Sequence, residues 1–153
     1  MDQGQTSTGA PPTGLQRLQA LVHGTVRPSG LFALLGLQPV LAEPGRVVIA
    51  AAPSSEHYNS GGSVHGGFTA TLLDTAMGCA AQSVLPPGQG VTTMELKIAY
   101  HRRITAENGR IEAIGTVLSQ GRRAIFTEVR LSDGAGRLLA SGSSTLLVVD
   151  TSP

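Results

Sequence analysis

The sequence predicts an α+β domain in which an antiparallel β-sheet wraps around one long central helix, and three observations carry the prediction. Residues 65–85, "HGGFTATLLDTAMGCAAQSVL", are apolar on most sides of a helical wheel, and a helix of that kind must be enclosed by other structure. From Val91 onward the pattern turns to four long runs rich in Val, Ile, Leu and Thr, residues that suit a pleated, half-buried surface. Two shorter runs of the same kind stand before the helix, on either side of Pro44-Gly45. Strands therefore flank the helix in both directions along the chain.

Taken in order, residues 1–14 are rich in Gly, Ser, Thr and Pro. Such a segment cannot bury enough surface to order itself, so a loose tail is expected, with residues 15–153 forming a single domain. "LQRLQALV" has helical spacing at Leu15, Leu18, Leu21 and Val22, and "SGLFALLG" reads as a second short helix stopped by Gly36. "LQPVLAE" and "RVVIAAAP" form a hairpin about Pro44-Gly45. A polar loop, residues 54–64, leads into the central helix, whose end is expected at Pro86-Pro87-Gly88. On that helix Ala70, Leu73, Met77, Ala80, Ala81 and Val84 make one apolar stripe, with Phe68, Leu72 and Ala76 on another side. Its small residues Gly67, Ala70, Gly78 and Ala81 are expected to let a sheet close tightly around it. The strands that follow are "VTTMELKIAYHR", "GRIEAIGTVLSQ", "RRAIFTEVRLSD" and "GRLLASGSSTLLVV", separated by turns at Asn108-Gly109, Gly121 and Asp133-Gly134.

Eleven basic residues against ten acidic ones, with charged residues at 14%, give no net field to draw nucleic acid or an anionic membrane. Any charged ligand must be met locally. A single cysteine, Cys79, excludes an internal disulfide and a cysteine-based zinc cluster, which fits a reducing cytoplasm. The start, "MDQGQTSTGAPPTG", has neither the basic stretch nor the apolar run of a signal peptide. Residues 65–85 approach the length of a membrane span, but Asp74, Gln82 and three glycines make them a buried helix instead.

Within "HYNSGGSVHGGFTATLLDTAMG", Asn59 stands six residues before His65-Gly66-Gly67 and Asp74 nine residues after His65; "TTMELKIAYHR" and "SQGRRAIF" follow downstream. With these motifs the chain, from about Leu31 to Val149, resembles the hotdog-fold acyl-CoA thioesterases of the phenylacetate-degradation (PaaI-like) branch. The resemblance implies a hotdog subunit, a homodimer or dimer of dimers (a homotetramer), and hydrolysis of an acyl-CoA without metal or cofactor. It also implies active-site roles for Asn59, His65 and Asp74, with each site shared between two chains. One departure stands out: many relatives carry Ser or Thr one turn after the acid, where this chain has Gly78. Thr93, by its strand position, is then the residue expected to hold water or substrate.

Thioester hydrolysis needs a donor for the developing oxyanion and a base or nucleophile, while the thiolate leaves with little help. A helix N-terminus supplies unpaired N–H groups, and Gly-Gly lets a carbonyl approach that backbone. Gly66 N–H is therefore the expected oxyanion donor, with Gly67 beside it in substrate binding. Asp74 is the expected general base or nucleophile; read alone, it would be a satisfied or exposed structural acid. His65 is expected to orient the Gly66 turn and to contact the thioester, rather than to bind metal, since no acid cluster completes a site with His57. Asn59 is either an Asx-turn residue or an amide that orients water or the substrate carbonyl. Arg122 and Arg123, with Arg102 and Arg103, either meet CoA phosphates or form a solvated surface. Cys79 reads as a small core residue. The acyl group is expected to be aryl or medium-sized, in a pocket shaped by "LFALLG", Phe68 and Leu72. The rival functions are a hydratase or dehydratase of 3-hydroxyacyl thioesters and a non-catalytic acyl-CoA-binding regulator.

Overall fold

A computed structural model describes residues 11–151, so residues 1–10 of the expected tail lie outside the described residues. The first helix, α1 (Gly14–Val22), opens on a capping box. The Thr13 hydroxyl accepts from Gln16 N–H at 3.1 Å and the Gln16 side chain accepts from Thr13 N–H at 2.8 Å, which satisfies two otherwise orphaned donors. A short α2 (Gly30–Leu34) leads to the hairpin of β1 (Gln38–Glu43) and β2 (Arg46–Ala51). Gly45 turns that hairpin at φ +74°, a conformation L side chains avoid. Then come α3 (Gly66–Gln82), β3 (Gln89–Tyr100), β4 (Ile111–Gln120), β5 (Ala124–Asp133) and β6 (Leu138–Asp150). All pairings are antiparallel, in the order β1-β2-β4-β5-β6-β3. This is the hotdog architecture, one helix held in a curled six-stranded sheet.

The central helix ends at Gln82, earlier than Pro86 suggests. Ser83 explains the early stop: its hydroxyl donates to Ala80 C=O at 2.7 Å and accepts from Gly45 N–H at 2.8 Å, tying the helix end to the β1–β2 turn. Leu72, Leu73, Ala76, Met77 and Ala80 are buried with Val47, Ile49, Ile111, Ala113, Val129 and Leu131 of the sheet.

The close approach of sheet to helix comes from the sheet side. A Cβ added at Gly115 of β4 would run into the backbone carbonyl of Ala76 and come within 2.9 Å of Met77 N, whereas one at Gly78 would meet nothing within 4 Å. Gly67 is exposed. Ala81 is buried as expected, but Gly67 and Gly78 do not serve the packing. Backbone cannot yield as a flexible side chain can, so Gly115→Ala is expected to destabilise the fold by about 3 kcal/mol. Denaturant unfolding of the two proteins side by side measures the difference, and equal midpoints would remove Gly115 from this role.

Strand β3 does not pair with β4, its successor, but crosses to pair with β6 at the edge of the sheet. Residues 92–97 are exposed there, with Met94 at 64%. The opposite edge, β1, has six residues and carries Pro39, a device that discourages further pairing. The twelve-residue β3 is longer and has no proline, and carries a bulge between Thr93 and Glu95 and the charges of Glu95 and Lys97.

At the β5–β6 turn, Asp133 accepts from Arg137 Nε at 2.8 Å, from the Ala135 and Arg137 backbone N–H groups, and from Asn108. The Arg137 side-chain bond, more than any other contact, holds its carboxyl below the ordinary value. A depressed folded-state pKa adds stability above the unfolded value and loses it as pH falls. Asp133→Asn is therefore expected to lower Tm at neutral pH, with the gap to the parent closing below about pH 4. Melting curves across pH check this, and a gap that stays constant into acid would contradict it.

Candidate active site

The site begins where α3 begins. His65 is the N-cap, with extended φ −61° and ψ 135°, and its Nδ1 accepts from Gly67 N–H at 2.8 Å. With Nδ1 an acceptor, neutral His65 carries its ring proton on Nε2. Gly67 is thus occupied by the cap, and a Cβ there would come within 2.9 Å of Nδ1. Gly66, the first helical residue, offers an N–H that no intrahelical carbonyl can reach, and no acceptor takes it among the described residues. Its carbonyl is held by the Tyr100 hydroxyl, which donates at 2.9 Å. Tyr100 was not singled out in the sequence; nothing about a tyrosine at a strand's end signals a contact 34 residues away.

Two turns along α3, Asp74 is half-buried and lines a cavity of about 350 Å³ with Leu18, Phe32, Gly78, Cys79, Gln82, Val91, Thr93 and Leu146 among its walls. Thr93, on the inner face of β3, donates its hydroxyl to Asp74 Oδ1 at 2.8 Å. Burial, with the Asp74 carboxylate adding to it, pushes the Cys79 thiol up to about 12. The thiol therefore stays protonated near neutrality and is a poor nucleophile. Phe68 and Leu72, expected in the acyl pocket, face the core instead: both are buried, and Phe68 packs on the His57 ring at 4.4 Å.

Asn59 is engaged within its own loop. The Asn59 side-chain oxygen accepts from Gly61 N–H at 2.9 Å and, weakly, from Ser63 N–H, closing the 59–63 loop as an Asx turn. Arg103 reinforces the same loop by donating to Gly61 and Gly62 carbonyls at 3.2 and 2.8 Å. It is a loop clamp. Arg122 and Arg123 are exposed in the β4–β5 turn, without an ion pair among the described residues. That turn lies beyond the C-terminal end of α3, where Gln120 Nε2 reaches Val84 C=O. A 17-residue helix is about 25 Å long, so within one chain they are remote from Gly66.

Comparison with known proteins agrees with the fold. Human acyl-coenzyme A thioesterase 13 is 32% identical over 133 residues, covering 85% of this chain and 93% of that protein. A conserved protein of Pseudomonas aeruginosa of known structure is 30% identical and superposes with a TM-score of 0.74 over 80% of this chain and 95% of its own. The E. coli PaaI protein of the phenylacetic acid degradation operon, at 19% identity, shares the fold with a TM-score of 0.76 over 87% of this chain and 94% of its own. The family model described as Thioesterase superfamily matches residues 61–140, the stretch that holds the α3 N-terminus, Asp74 and Thr93, and the chain belongs to that superfamily.

Proposed function

We propose that the protein hydrolyses acyl-CoA thioesters to free acid and CoA, in a site that two copies of the chain build together. The observation that carries the reading is a half-buried carboxylate, Asp74, oriented by Thr93 in a largely apolar cavity of a thioesterase fold. In this proposal Asp74 takes a proton from water as the water oxygen attacks the thioester carbonyl carbon. Gly66 N–H receives the oxyanion, and collapse expels the CoA thiolate. Thr93 positions the carboxylate, and His65 shapes the turn and presents Nε2–H towards the thioester.

Helix geometry supports the sharing. Gly66 and Asp74 are eight residues apart, about 12 Å along the axis and roughly 80° around it, so one carbonyl cannot meet both from the same helix. A second chain pairing antiparallel along the open β3 edge would set the N-terminus of its α3 against Asp74. It would also cover the exposed strand. The same antiparallel placement carries Arg122 and Arg123 of one chain to the Gly66 end of the other, where CoA phosphates could engage them. Exposed Leu118 and Phe126, at 59% and 48%, leave an apolar spot elsewhere on the sheet for a dimer of dimers. No described helix is long and apolar enough to cross a membrane, and a reduced lone thiol suits the cytoplasm we propose.

A thiol-release assay over a panel of aryl and straight-chain acyl-CoAs tests the reading. Free CoA is expected from at least one class. Tight binding of acyl-CoAs without thiol release from any of them would overturn it in favour of a binding protein.

A further inference from the structure

We propose that Gly78 sets the length of acyl group that the site admits, with Phe32 as the partition that ends it; the inference rests on the hydrolase reading above. The cavity at Asp74 runs along one face of α3, because Asp74, Gly78 and Gln82 follow at i, i+4 and i+8 and all three line it. Its floor therefore extends about 12 Å from the carboxylate to Gln82. Gln82 lies at the far part of that floor, its Nε2 donating to Gln89 C=O at 3.0 Å. Leu18 of α1 and Phe32 of α2 wall the cavity from the helical side, and Val91, Thr93 and Leu146 from the sheet.

Gly78 sits mid-way along that floor. A Cβ built there meets nothing within 4 Å, so the glycine is not needed for close packing against any described element. It does cost the helix stability, since glycine in a helix interior is worse than alanine. What the missing side chain leaves is open volume about 6 Å along the floor from the carboxylate, beyond the first few carbons of an acyl chain whose carbonyl sits at Asp74. Phe32 has a second face. It also lines an apolar cavity of about 370 Å³ between α1 and the segment before α2, with Ala20, Leu21, Val26 and Pro28. One aromatic ring thus divides two apolar spaces, of which only one contains the acid. A straight acyl chain starting at Asp74 runs over Gly78 and is stopped by that ring.

The test is kcat/KM across straight-chain CoA thioesters from butyryl to palmitoyl. Gly78→Leu is expected to move the optimum to shorter chains, with losses on the order of tenfold or more on the longer ones and little change on butyryl-CoA. Gly78→Ala, which favours the helix, should shift it the same way by less and serves if the leucine variant does not fold. Phe32→Ala joins the two spaces and is expected to move the optimum to longer chains. A proportional fall at every length, an unchanged profile, or loss of the native oligomer with loss of butyryl-CoA turnover in the Gly78 variants would overturn the inference. Absence of thiol release by the parent protein on every thioester would instead overturn the hydrolase reading itself.

Discussion

Asp74→Asn is expected to lower kcat on the best acyl-CoA by about 10²- to 10⁴-fold, the usual worth of a positioned acid–base group, while the protein stays folded. The fold survives because asparagine keeps an Oδ1 that can accept the Thr93 hydroxyl, now at 2.8 Å. The half-buried site also loses a charge and gains none. Activity falls because a carboxamide does not take a proton from water. Cys79 cannot substitute as the nucleophile, since burial, the larger cause of its raised thiol pKa, remains in the variant. The measurement is steady-state thiol release, with a melting curve to show that the fold is intact. Parental turnover in a well-folded Asp74→Asn protein would take Asp74 out of the mechanism.

Gly66→Pro should remove the oxyanion donor with little damage to the helix, lowering kcat by about 10²- to 10³-fold. The first helical position is where proline is best tolerated, because its missing N–H has no intrahelical partner there. The residue before a proline must be extended, and His65 already is, at φ −61° and ψ 135°. The Tyr100 hydroxyl, 3.3 Å from where the new Cβ would lie, is the flexible neighbour that has to give way. Mixing this variant with Asp74→Asn then separates the shared site from a site within one chain. If each site takes Gly66 from one subunit and Asp74 from its partner, a mixed dimer holds one intact site and one doubly damaged site. Activity should then rise from near zero towards about half the parental value. Verified mixed dimers as inactive as either parent would end the shared-site proposal, and parental activity in Gly66→Pro alone would end the oxyanion role.

Much of the candidate site's framework was legible because its signals are local. The N-terminal start of α3 follows from His-Gly-Gly after a polar loop, and an acid among apolar helical residues marks Asp74 against its surroundings. Thr93 was reached through the family resemblance alone, and its hydrogen bond to Asp74 is a contact across 19 residues that periodicity does not encode. Asn59 shows the opposite limit. The same amide can close an Asx turn or orient a ligand, and in this chain the glycines and Ser63 that follow draw it into the turn.

The six strands, the hairpin at Gly45 and the enclosed helix were determined by the sequence itself, since alternation, turn residues and an all-round apolar face act over a few neighbouring residues. Tertiary structure alone decided what covers each apolar face. It turned Phe68 and Leu72 into the core and brought Leu18 and Phe32 to the cavity. It assigned the tight helix–sheet approach to Gly115 rather than to Gly78. It also sent β3 past β4 to the far edge beside β6. Strand pairing is chosen by the best total burial over distant segments, which a local pattern does not specify. That choice leaves β3 at an open edge of the sheet and sets Arg122 and Arg123 at the opposite end of α3 from Gly66.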